Sequence, residues 1–99
     1  MNVTILYGGR SGEHEVSLVS GATVARNISR EHNVTLIGVT KEGVWYKQPS
    51  TALEEVRKNP DAKLSIVTDR DMVVRVTPGG GKAKALRASG EYIPCDVVF

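Results

Sequence analysis

Two hydrophobic periods follow one another at the start of the chain. Asn2 to Tyr7 is nearly continuous apolar, which predicts a strand buried on both faces of a parallel sheet. From Val16 to Ile28 the apolar positions recur at helical spacing. Leu18, Ala22 and Ala25 share one face, widened by Val24 and Ile28, and Gly21 and Ala22 are small enough for close packing on a sheet. The helix is expected to begin between Ser11 and Glu15, with Ser11 as its cap. Asn33 to Thr40 reads as a second strand, so strand, helix and strand form a right-handed βαβ unit with parallel strands. Lys41-Glu42-Gly43 is a turn. Val44 to Lys47 is a short strand that pairs back as a hairpin or leads onward. Thr51 to Lys58 is a short helix that stops before Asn59-Pro60.

Beyond Lys63 the pattern changes. Leu64 to Thr68, Met72 to Val76 and Ala85 to Arg87 are short, β-rich and separated by turns, and they read as irregular or antiparallel excursions. Asp96-Val97-Val98-Phe99 reads as the start of a buried parallel strand with no visible end, which suggests a piece of something longer. The fold class is therefore α/β: a Rossmann-like domain with a mostly parallel sheet, truncated at its C-terminal strand.

Ninety-nine residues fit one domain, which buries roughly 65% of its unfolded surface. The net charge of +2 is spread along the chain: residues 1–45 hold four basic and four acidic side chains, residues 46–99 nine and seven. No like-charge block points to nucleic acid or a membrane surface. The aromatics do not interleave with basic residues as a stacking platform would. Met1 runs straight into a strand, so no signal peptide is expected, and no apolar run approaches the ~18 residues of a membrane span. The single cysteine, Cys95, cannot form an internal disulfide; it fits a reducing, cytoplasmic setting and a small buried hydrophobe. Two lone histidines with no cysteine cluster predict no metal site.

The candidate chemistry lies between the first strand and the first helix, in Tyr7-Gly8-Gly9-Arg10-Ser11-Gly12-Glu13-His14-Glu15-Val16-Ser17. A Gly-rich turn at the carboxyl end of a strand is where α/β proteins bind ligands. It is not the dinucleotide fingerprint, because Arg10 stands where the second glycine is required, and no Gly-Lys-Ser/Thr follows as in a Walker A loop. The later Gly79-Gly80-Gly81-Lys82 fails the phosphate pattern as well, since Val76 replaces its first glycine and Ala83 its Ser/Thr. Glu13, beside a helix N-terminus, is expected to stay charged and to hold an ammonium or guanidinium; the plainer reading is a first-turn acid worth under ~1 kcal/mol. Glu15 is expected to complete the cap. His14 reads as a solvated loop residue or a hydrogen-bonding spacer rather than a general base. Val16 packs in the core or lines the ligand pocket. Neither Ser11 nor Ser17 has a demonstrable His/Asp constellation for a nucleophile.

The stretch Ile5 to Gly21 resembles the N-terminal signature of the D-alanine–D-alanine ligases, a strand followed by Gly-Gly-x-Ser-x-Glu-x-Glu-Val-Ser. Ile37 to Tyr46 is similar to that family's second strand and Lys-x-Gly-x-Trp turn, and Asp96 to Phe99 to a strand that runs into a Pro-x-x-His-Gly loop. The middle, about Pro49 to Glu91, carries no distinctive resemblance. The resemblance implies residues 1–99 as the N-terminal substrate-binding domain of an ATP-grasp ligase of peptidoglycan synthesis. ATP, with Mg2+ or Mn2+, phosphorylates the carboxylate of one D-alanine, and the amine of a second D-alanine displaces phosphate. It implies that Glu13 holds the ammonium of the first D-alanine, as the catalytic and substrate-binding carboxylate, and that Val16 lines the pocket around its methyl group. It implies further a homodimer, and ATP and metal sites beyond Phe99, so that these residues alone bind neither cofactor and are inactive. A D-alanine–D-lactate or D-serine ligase, a stand-alone small-ligand-binding module and a pure interaction role are the alternatives.

Overall fold

The computed structural model describes residues 1–9, 14–76 and 86–99. The continuous apolar opening forms β1 (Asn2–Gly8), the amphipathic run α1 (His14–Asn27) and the next apolar run β2 (Asn33–Val39). β1 and β2 pair in parallel from Asn2↔Asn33 to Gly8↔Val39, as a βαβ connection requires. β3 (Trp45–Lys47) returns antiparallel on β2, with Val39 opposite Trp45. The hairpin turn closes through Gly43, at φ +90°, and Thr40, whose Oγ1 and carbonyl accept from the amides of Val44 and Gly43. Pro49 then starts α2 (Ser50–Lys58), one residue earlier than the sequence suggests. The sheet is completed by β7 (Val97–Val98), parallel to β1, in the order β3-β2-β1-β7.

β1 is thus an inner strand, and its side chains alternate between two cores. Val3, Ile5 and Tyr7 pack with Leu18, Ala22 and Ala25 of α1, Val56 of α2, Leu36 and Leu64. On the opposite face Leu6 and Ile37 meet Val74, Leu86, Ala88 and Ile93. Those residues come from or adjoin a second, antiparallel sheet of β4 (Arg75–Val76), β5 (Leu86–Ala88) and β6 (Glu91–Tyr92). The expectation of an α/β domain with a mostly parallel sheet holds, but its second face is covered by this small sheet where a doubly wound protein carries helices. Cys95 is buried, as its apolar neighbours suggest.

Two expectations need correction. Val24 is exposed and adds nothing to the buried face of α1, because it lies well over a quarter turn from the line of Leu18, Ala22 and Ala25. The chain beyond β7 pairs with β1 through the backbone of Phe99, but Val98 and Phe99 are 51% and 61% exposed. Among the described residues β7 has a neighbour on one side only, so the strand is parallel without being buried. Leu64 to Thr68 takes the irregular one of the two forms expected of it and joins no ladder. The reason is a side chain: the Gln48 amide accepts from Val67 N–H (2.8 Å) and donates to the Val67 carbonyl (3.1 Å), supplying both bonds that a strand neighbour would. Gln48 is buried, and its Nε2 also donates to the Tyr46 carbonyl.

Candidate functional site

The carboxyl ends of β1 and β2 converge at Gly8 and Val39. Gly8 and Gly9 have φ of +91° and +104°, where side chains are rarely accommodated. A Cβ on Gly8 would also collide with the Val39 carbonyl oxygen. That close approach lets Gly9 N–H donate to the same oxygen at 2.8 Å, so the chain leaves β1 still bonded to β2. Two side chains of α1 reach back to the turn. Ser17 Oγ accepts from Gly8 N–H at 2.9 Å, and His14 Nδ1 lies 2.7 Å from the Gly9 carbonyl.

Beneath the turn, Tyr7 is buried and its hydroxyl donates to the Ser65 carbonyl at 2.7 Å. Burial pushes this phenol well above its ordinary value, so it is a neutral donor and a structural pin rather than a proton carrier. Ile66 stands over the strand ends: side chains built on Gly8 or Gly38 would meet it at about 3 Å. The extended segment held by Gln48 therefore walls this end of the sheet on one side, and Gly38 is small because Ile66 occupies the space above it.

Glu13 falls between Gly9 and His14 and lies outside the described residues, as do Ser11, the expected cap, and Gly79 to Lys82. Val16 stands in the first turn of α1, 59% exposed. Core packing is thereby excluded for it, and its side chain is open at the helix end nearest the turn. His14 is the hydrogen-bonding spacer, not the solvated residue: it is 8% exposed. Glu15 does not close a cap among the described residues; its carboxylate pairs with Lys63 at 3.6 Å, both side chains largely exposed.

Sequence reasoning missed the backbone contact of Ser17 and the wall formed by Ser65 and Ile66. Ser17 could have been found from its spacing, since it lies four residues before Gly21 on the side of α1 that faces the sheet. Nothing local marks residues 65 and 66, whose place depends on Gln48.

A cleft of about 480 Å³ opens elsewhere, among Val34, Leu36, Gln48, Ser50, Leu53 and Met72. It adjoins the amino-terminal half of β2, the wrong end of the strand for a ligand site in an open α/β sheet, and none of the turn residues borders it. Among the described residues no group of three His, Cys, Asp or Glu side chains is placed to hold a metal ion, and no helix is long and apolar enough to cross a membrane.

Comparison with known proteins agrees with this geometry. The family model described as the D-Ala D-Ala ligase N-terminus matches residues 2–99. The D-alanine–D-alanine ligase of Treponema denticola is 46% identical over 99 residues, covering 100% of this chain and 27% of that protein. The D-alanine–D-alanine ligase of Treponema pallidum (strain Nichols) is 50% identical over 99 residues, covering 100% of this chain and 25% of that one. The crystal structure of the VanG D-Ala:D-Ser ligase from Enterococcus faecalis superposes with a TM-score of 0.71 at 26% identity, over 99% of this chain and 27% of the other. The chain spans about a quarter of the length of the relatives it matches. With its Gly-Gly turn at the strand ends, its mostly parallel sheet and a family match over nearly every residue, the chain belongs to the D-alanine–D-alanine ligase family, whose N-terminal part it matches.

Proposed function

We propose that this chain is the N-terminal substrate-binding domain of an ATP-dependent ligase that joins two D-alanines for peptidoglycan synthesis in the cytoplasm. The observation that carries the reading is the Gly8-Gly9 turn, bonded at once to β2 and to α1, on a chain that matches the family from end to end. In this reading Glu13 receives the ammonium of the first D-alanine and Val16 touches its methyl group. A carboxylate suits an ammonium because it only accepts hydrogen bonds, and an ammonium only donates them. ATP and Mg2+ or Mn2+ supply the activated phosphoryl group and neutralise its charge when held by the ligase's other domains. The enzyme acts as a homodimer.

The test is D-alanine-dependent phosphate release from ATP, measured on the 99-residue chain and on a ligase of the relatives' length that begins with it. We expect turnover only from the longer protein. In that protein Glu13→Gln should weaken the first D-alanine site by ~1.5–3 kcal/mol, the worth of a charged hydrogen bond. Unchanged D-alanine kinetics would remove Glu13 from the site. The D-Ala:D-Ser ligase neighbour supports a second reading for the other substrate, and product analysis with D-serine or D-lactate in place of the second D-alanine decides it.

A further inference from the structure

We infer that the outer face of the small antiparallel sheet is a binding site for a phosphate group, held jointly by Arg75 and Arg87. The site draws nothing from the ligase reading. Arg75 of β4 stands directly opposite Arg87 of β5, and Arg87 directly opposite Tyr92 of β6. Val74, Leu86 and Ala88, next to the arginines in the chain, are buried in the second core. Side chains alternate along a strand, so both arginines and Tyr92 form one exposed row on the opposite side of this sheet. The Cα atoms of directly opposed residues lie only about 4.5–5.5 Å apart, and like charges placed so destabilise the pairing.

Neither arginine has an ion pair among the described residues. The Arg87 guanidinium lies over the Tyr92 ring, 5.1 Å from its centroid, and one nitrogen donates to the Gly90 carbonyl at 3.4 Å. Stacking occupies a face and the Gly90 bond one of five N–H groups, so the group is oriented while its other donors stay available. Arg75 makes no hydrogen bond among the described residues. A cleft of about 430 Å³ opens at the pair, with Val73 and Arg75 on the β4 side and Arg87, Ser89 and Gly90 on the β5 side. None of the described residues lining it is acidic. Charge on an edge strand such as β4 discourages pairing with another sheet, but β5 is the inner strand and gains nothing of that kind from Arg87. Uncompensated repulsion of this sort is expected where a sequence serves function at the expense of stability. One guanidinium satisfies a carboxylate through two parallel bonds. A phosphate group carries up to about two charges and three acceptor oxygens, which suits two guanidiniums from adjacent strands.

The experiment follows the arginine Nε–H NMR signals of a protein of the relatives' length carrying this chain, at constant ionic strength. Arg75→Lys and Arg87→Lys assign the two signals. Inorganic phosphate should shift both along one saturating curve with a common midpoint, and acetate should need roughly tenfold more to do the same. Arg75→Gln should raise the phosphate midpoint read at Arg87 by roughly 10- to 100-fold, through the loss of charged hydrogen bonds. If that variant fails to fold, as shown by its circular dichroism, the wild-type comparison of phosphate with acetate decides the matter alone. Adenosine monophosphate, titrated separately, identifies the source of the group: a matching curve assigns a phosphate monoester, and no response assigns the free ion. Shifts that do not saturate, different midpoints at the two arginines, an equal response to acetate, or an Arg87 curve unchanged in Arg75→Gln each overturns the inference.

Discussion

Alanine at Gly8 separates two costs that the structure assigns to neighbouring glycines. Gly8 and Gly9 both have strongly positive φ, so alanine at either must adopt a conformation that costs about 1–3 kcal/mol. At Gly9 nothing lies within 4 Å of the new Cβ, and the cost ends there. At Gly8 the Cβ runs into the Val39 carbonyl oxygen, which is backbone and is also the acceptor of the Gly9 N–H bond. Relieving the collision parts β1 from β2 at that point and loses a hydrogen bond worth about 1 kcal/mol net. Gly8→Ala should therefore destabilise by about 2–4 kcal/mol and Gly9→Ala by about 1–3. Urea unfolding of the 99-residue chain, followed by the fluorescence of its single tryptophan, Trp45, reads the difference. At a slope of ~1–3 kcal/mol per M, a gap of about 1 kcal/mol separates the two midpoints by roughly 0.3–1 M. Equal midpoints for the two variants would refute the argument that the Val39 oxygen, and not φ alone, demands glycine at position 8.

Two further outcomes follow from buried polar contacts. Gln48→Leu keeps the volume but leaves the Val67 N–H and carbonyl without their partner, so a loss of about 2–4 kcal/mol is expected, with faster hydrogen exchange at Val67 as the specific sign; an unchanged exchange rate there would show that Gln48 is not what holds the segment. Tyr7→Phe should cost about 1 kcal/mol near neutrality through the lost bond to Ser65. The folded phenol titrates above its unfolded value of about 10, so its contribution is complete below that pH and is lost as pH rises through the folded value; the wild type should lose more stability than Tyr7→Phe on going above about pH 10, and parallel pH profiles would contradict the burial of the phenol.

Local chemistry was enough to read β1, α1, β2, the Gly43 turn and α2. Each is written in a period, a turn glycine or a proline, and each of those acts within a few residues of itself. The position of the candidate site was legible for the same reason, because two glycines between a strand and a helix restrict the backbone wherever the chain is placed. Burial at long range was not legible. His14 looked as much like a solvated residue as a hydrogen-bonding spacer, since its partner is a carbonyl that faces it only once β1 and α1 are docked. Leu64 to Thr68 has the composition of a strand, yet its backbone groups found a glutamine side chain 19 residues away. Val24 has helical spacing and still faces water, because which stripe of α1 is covered depends on where Tyr7, Leu36 and Leu64 stand. The position of β7 beside β1 and the small sheet over the second face were likewise decided in three dimensions. Apolar burial has no preferred direction along the chain, so among sequence-distant partners only the packed tertiary structure selects.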